Sequence, residues 1–196
     1  MKIAIDAMGG DHGPVVTLAG LSHSISTHPE LEATVFGSED KVLPFLKKYA
    51  LLKSSRVNFV HTTETVRMDD KPAVALRSKK DSSMRRAIDA VKNGNCSACV
   101  SAGNTGALMG IARFVLKTMP GISKPAICGT MPGIKKSTKL LDLGANVDCS
   151  SEDLLGFAIM GSILARYTSG IERPTVALLN IGMEEIKGNE QIRKTS

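Results

Sequence analysis

The sequence has no tryptophan, two tyrosines and five phenylalanines, so aromatics make up only 4% of its 196 residues. Its core must therefore be aliphatic, with nine methionines available to fill irregular space. Long hydrophobic runs are missing too. The best, Leu154 to Ala165, is flanked by Asp153 and Arg166 and falls well short of the roughly 20 residues a membrane span needs. No secretory leader is visible, because Lys2-Ile3-Ala4-Ile5 meets Asp6 before an apolar segment can form. These features read as a cytosolic chain. Of the four cysteines, Cys96 and Cys99 have C-x-x-C spacing, but no second pair or nearby histidine completes a zinc site. They also sit in an expected strand, where residues three apart face opposite ways, so they read as small apolar side chains. Several motifs are absent: Gly-Lys-Ser/Thr, G-x-G-x-x-G, G-x-S-x-G and H-E-x-x-H. Their absence argues against P-loop, dinucleotide-binding, serine-hydrolase and zinc-protease chemistry.

The composition that remains is that of a folded protein, 42% hydrophobic and 22% charged. Twenty-five basic against nineteen acidic residues give a net charge of +6. That surplus favours anionic partners without choosing among phosphate, acidic protein, anionic lipid and nucleic acid. The length predicts one domain, or one with a small appendage.

Along the chain, Lys2–Asp6 reads as a strand, followed by a Gly-rich loop and a helix begun by Pro14 with Val15, Leu18, Leu21 and Ile25 on one face. Thr34–Phe36 is a second strand. A helix capped by Ser38 follows, with Pro44 expected to kink or delay it. Arg56–Val60 is a third strand. Residues 61–80 lack periodicity and predict a functional loop or a short helix. Met84, Ala87, Ile88 and Val91 mark a helix, Ser97–Ser101 a buried strand, and Leu108, Ile111, Ala112 and Val115 another helix. Ala126–Met131, Leu140–Leu143 and Thr175–Ile181 read as strands, and Leu154–Tyr167 and the segment from Gly188 as helices. This alternation implies an α/β fold with a mainly parallel sheet covered on both faces, and a single α/β domain over 1–196. Its end at the start of a helix suggests the amino-terminal portion of something larger, incomplete at the C-terminus.

Four loops follow expected strands: residues 6–11, 101–106, 142–148 and 180–189. All contain Gly, and the last three contain Asn as well. In a parallel sheet they fall along one edge, where ligands bind. Gly103-Asn104-Thr105-Gly106 opens a helix whose free N–H groups attract anions, although the same sequence also suits a plain tight turn. Arg77, Lys79, Lys80, Arg85 and Arg86 place positive charge just upstream, either beside that site or on a solvated face. His12 is the one histidine close to a candidate loop. Asp6, Asp11, Asp142 and Asp148 suit either a divalent ion or hydrogen bonds that brace the loops, the second being the better reading.

Six segments, taken in order, resemble the bacterial phosphate acyltransferase (PlsX) family. They are Ile5–Asp11, Ser82-Ser83-Met84, Ser101–Met109, Leu141–Asp148, Ala158–Ser162 and Leu179–Gly182. The resemblance covers essentially the whole chain. It implies an isocitrate/isopropylmalate dehydrogenase-like three-layer α/β/α sandwich, and transfer of a fatty acyl group from acyl carrier protein to inorganic phosphate. The acyl phosphate product feeds phospholipid synthesis. The family also implies a homodimer in the cytoplasm, peripheral membrane association, contact with the membrane glycerol-phosphate acyltransferase, and no cofactor, metal or nucleic acid. Family members continue further, with another Gly-Asn loop.

Phosphate is already a dianionic nucleophile and a thiolate a good leaving group, so such a reaction needs positioning and electrostatics more than an enzyme nucleophile. On this reading Asn104, Thr105, Asn180 and Lys187 are the catalytic candidates. Gly9, Gly10, Lys79, Lys80, Gly103, Gly106, Asp142, Gly144 and Asn146 would bind substrate and phosphate. The alternatives are a metal- and NAD-dependent decarboxylating dehydrogenase of the same fold, which needs a Tyr/Lys pair, and a basic surface-binding module.

Overall fold

The computed structural model describes residues 1–134, 136–182 and 190–196. They fall into two compact units, Met1–Lys117 and Thr118–Ser196.

The first unit carries β1 (Lys2–Asp6), α1 (Pro14–Thr27), β2 (Glu32–Gly37), α2 (Glu39–Lys48), β3 (Val57–His61), α3 (Pro72–Ser78), α4 (Ser83–Lys92), β4 (Ala98–Ser101) and α5 (Thr105–Leu116). Its four strands form a wholly parallel sheet in the order β3-β2-β1-β4, with Ile5 beside Val35 and Val100. Strand periodicity sorts the side chains between two faces. Ile5, Ala33 and Val35 pack with Leu18, Leu21 and Ile25 of α1 and Val42 and Leu46 of α2. Ala4 and Phe36 point the other way and meet Ala87 and Ala90 of α4. Ile111 and Val115 of α5 pack with Met84 and Ile88. The result is a sheet with helices on both faces.

Some local expectations change. Val15 is half exposed and does not join the buried stripe of α1. Pro44 does not delay α2, which runs through it, because the proline is on the exposed side where the carbonyl it leaves unpaired can meet water. The aperiodic stretch 61–80 contains the short helix α3.

The second unit carries β5 (Cys128–Met131), β6 (Thr138–Leu141), α6 (Ser151–Ser169) and α7 (Glu190–Thr195). β5 and β6 pair antiparallel, Cys128 opposite Leu141. They are therefore not members of a parallel sheet as the alternation suggested. The connection from Met131 to Thr138 is far too short for the crossover that parallel strands require. Thr175–Ile181 is irregular chain rather than a strand. It has no pairing partner among the described residues, and Val176, Leu179 and Ile181 are exposed. α6 starts with a reciprocal cap in which Ser150 Oγ accepts from the Asp153 amide and the Asp153 carboxylate accepts from the Ser150 amide.

Candidate active site

Asp6 ends β1 and is almost fully buried. A carboxylate there must be surrounded by donors. Its Oδ1 accepts from Ser83 Oγ at 2.6 Å and the Met8 amide at 3.2 Å, and its Oδ2 from Ser101 Oγ at 2.6 Å. One side chain thus ties together the first Gly loop, the start of α4 and the end of β4. Ser101 Oγ in turn accepts from the Gly103 amide at 3.1 Å. Neither serine stood out as a site residue from the sequence. The signal was available: a buried aspartate ahead of Gly-Gly needs hydroxyl donors, and both serines lie in segments that carry the family resemblance.

The two loops touch. A Cβ placed on Gly9 would lie 2.7 Å from the Gly103 amide nitrogen, and one on Gly103 would lie 3.0 Å from Met84 Cε. Gly10 has φ +83° with the Ala102 carbonyl beside it. Glycine at these positions permits loop-to-loop packing. Gly106 packs against Pro72, at the start of α3.

Asn104 is buried, and its amide group is fully engaged. Oδ1 caps α5 by accepting from the Ala107 amide at 3.0 Å. Nδ2 donates to the carbonyls of Arg67, Met68 and Asp70 at 3.2, 3.0 and 2.9 Å. The side chain therefore fastens residues 67–70 to the start of α5 and presents no donor to a substrate. The main-chain amides of Asn104, Thr105 and Gly106 have no acceptor among the described residues, and Thr105 is exposed with its hydroxyl equally without a partner. These are the donors a helix start leaves over.

Lys79 and Lys80 diverge. Lys79 Nζ donates to the Thr65 carbonyl at 2.8 Å and pairs with Asp70. That ion pair, followed by the Arg67 amide, holds the Asp70 carboxyl below its usual range. Lys80 is directed to the Phe114 ring, towards the far end of α5 from the Gly loop, and so does not neutralise charge there. An open cleft of about 690 Å³ lies beside the first loop. Gly10, His12 and Lys79 line it, with Lys41 and Arg67 set against Asp11 and Glu64.

In the second unit, Asp142 has φ +64°. Its Oδ1 accepts from the amide and from Nδ2 of Asn146, at 3.2 and 2.9 Å, and Cys149 Sγ donates to its Oδ2 at 3.4 Å. Asn146 Nδ2 also donates to the Pro125 carbonyl at 3.0 Å. Gly144 turns the chain at φ +75°. Asp142 and Asn146 therefore hold their own loop in shape. The Asn180 Oδ1 accepts from the Ile181 amide at 2.8 Å. Lys187 lies outside the described residues.

A family model described as "Fatty acid synthesis protein" matches residues 1–196. The chain belongs to that family. It is 53% identical to the phosphate acyltransferase of Janthinobacterium sp. (strain Marseille), over 100% of this chain and 55% of that protein. Its identity to the phosphate acyltransferase of Methylococcus capsulatus is also 53%, over 99% and 57%. To that of Legionella pneumophila (strain Paris) it is 50%, over 100% and 57%. The chain thus spans little more than half the length of these relatives. Among solved structures it resembles the EutD phosphotransacetylase from Staphylococcus aureus, with a TM-score of 0.62, 20% identity, and coverage of 100% of this chain and 62% of that one. That likeness speaks to the α/β fold alone.

Proposed function

We propose that this chain is part of an enzyme that moves a fatty acyl group from the thioester of acyl carrier protein to inorganic phosphate, giving acyl phosphate for phospholipid synthesis. The supporting geometry is the set of open amides of Asn104, Thr105 and Gly106 at the start of α5. The relatives' shared name, phosphate acyltransferase, supports the same chemistry.

These amides, aided by the helix dipole, would bind phosphate or the oxyanion of the tetrahedral intermediate, with the Thr105 hydroxyl as a further donor. The phosphate oxygen attacks the thioester carbonyl carbon and the C–S bond breaks, releasing the carrier thiolate. Asn104 is a positioning residue that keeps the amides open, and Gly9, Gly10, Gly103 and Gly106 permit the close packing behind them. Lys79 holds the adjoining 65–70 segment. Asn180, Lys187 and the Asp142–Gly144–Asn146 turn remain candidate site residues. The same reading includes an isocitrate/isopropylmalate dehydrogenase-like sandwich, one α/β domain, a homodimer, and a cytoplasmic location with peripheral membrane association and contact with the glycerol-phosphate acyltransferase. Dehydrogenase chemistry has no support: Tyr49 packs against the first core cluster and Tyr167 is exposed on α6.

The deciding experiment incubates the full-length protein with acyl carrier protein thioester, with and without phosphate, and measures acyl phosphate. Phosphate-dependent product is expected. An Asn104→Asp variant should lose most turnover, because the new carboxylate loses the donors to residues 67–70 and repels the anion. Unchanged turnover would remove this loop from the mechanism.

A further inference from the structure

Between Lys71 and Lys80 the sequence has no aspartate or glutamate, and none occurs from Ala90 to Leu141. The first stretch contains α3 and the second contains α5, and these helices pack together. Contacts at both ends fix their sense. Pro72 lies against Gly106 at one end, and Lys80 lies over Phe114 at the other, its Nζ 6.0 Å from the ring centre. The shared face therefore runs about 12 Å along α5, from the open amides to Phe114, at about 1.5 Å per residue. Lys117 lies over the same ring at 4.9 Å. Arg77 is exposed on the last turn of α3. Among the described residues no carboxylate pairs with Lys71, Arg77, Lys80 or Lys117. Val74, Phe114 and Leu116 add half-exposed apolar surface on these helices and their ends.

We propose that this α3–α5 face docks an acidic carrier protein, and that it delivers the thioester to the Gly103–Gly106 end of the same face. The inference rests on the transfer reading above and names where its donor binds. Charge complementarity carries it: α3 and α5 bring several cations and no carboxylate of their own to the face, with Asp69 and Asp70 only at its Gly-loop end. Such a patch attracts an acidic surface and sets register through rim pairs. A bilayer fits less well. The only aromatic side chain on the face has lysines over its ring, whereas a membrane-bound face keeps its apolar side chains clear of charge at that depth. A donor whose acyl group rides on a flexible arm can dock a dozen ångströms from the reacting carbon.

The test is binding of fluorescently labelled acylated carrier protein to this chain, read by anisotropy at low and high salt. The variants are the double reversal R77E/K80E, the single reversal K117E, and a neutralised pair K80Q/K117Q. All alter exposed side chains, and circular dichroism checks that each is folded. At low salt the double reversal should weaken binding about tenfold or more, the neutralised pair less, and high salt should weaken the unsubstituted chain similarly. The face is overturned if the reversals bind carrier like the unsubstituted chain, or if that chain binds no carrier. It is also overturned if the reversals lose binding only to phosphatidylglycerol vesicles. Because this readout is binding, failure to form acyl phosphate would count against the transfer reading alone.

Discussion

The two units differ most in what they bury. Every buried hydrophobic side chain among the described residues lies in the first unit, except Phe157 and Ala165 of α6. The second unit instead exposes Ile134, Val147, Leu179, Ile181 and Tyr167 almost completely. Hydrophobic burial is the main favourable term in folding, so the first unit has its own source of stability and the second has little. Each unit nevertheless shapes a Gly loop in the same way, with an aspartate after a strand accepting from nearby donors. Asp6 does so in a buried setting with donors 77 and 95 residues away. Asp142 does so at a partly exposed turn, with donors within seven residues. The first kind of loop is held by the tertiary fold and the second by itself.

Substitutions at matched positions probe this difference. The largest effect belongs to Leu18→Ala in the first core, expected to cost about 2–5 kcal/mol in urea unfolding. The companion Ile159→Ala, on the half-exposed side of α6, should stay within about 0.5 kcal/mol. Equal costs would mean that α6 is buried in solution. Next comes the aspartate pair. Asp6→Ala leaves two hydroxyls and an amide without their acceptor in a dry setting, at about 3 kcal/mol. Asp142→Ala, where water can replace the carboxylate, should cost about 1 kcal/mol or less. A reversed order would remove the distinction between the two loops.

The sequence showed the first unit well, because a two-sided sheet and its helices write their periods into the chain. Leu18, Leu21 and Ile25, then Met84, Ala87 and Ile88, then Ile111 and Val115 are buried at the expected spacing. It showed the second unit poorly. Thr175–Ile181 is apolar enough for a strand, but a strand exists only with a neighbour to pair with. The pairing direction of β5 and β6 likewise depends on the short link between them rather than on either segment. Site residues were legible as types and not as roles. Asn104 reads the same whether its amide group faces a ligand or, as here, caps a helix and holds three carbonyls. Lys79 and Lys80 are neighbours in sequence, yet one braces Asp70 and the other covers Phe114.

Thiol labelling extends the comparison at lower amplitude. Burial, with Asp6 nearby, pushes the Cys99 thiol up to about 12, leaving almost no thiolate to react. Cys128 in the second unit is exposed. Iodoacetamide at mildly alkaline pH should modify Cys128 at least about tenfold faster than Cys99, as peptide mass mapping over time would record. Comparable rates would place Cys99 in water.

The smallest effect concerns two carboxylates held down by lysine, Asp70 with Lys79 in the first unit and Asp153 with Lys124 in the second. Lys124 Nζ lies 2.9 Å from Asp153 and, with the Ser123 hydroxyl and the Ser150 amide, keeps that carboxyl well below the ordinary range. The folded pKa is therefore below the unfolded value of about 3.9. The stabilisation is complete above that value and is lost as pH falls from it towards the folded pKa. Hydrogen exchange at the start of α6 should accordingly loosen below about pH 4, relative to the same amides at neutral pH. Lys124→Met removes the largest cause and should move the Asp153 midpoint, followed by carboxyl carbon chemical shift, back towards the ordinary range. An unmoved midpoint would mean that the Ser123 hydroxyl, from 30 residues away, and the Ser150 amide of the helix cap hold the carboxylate without the lysine.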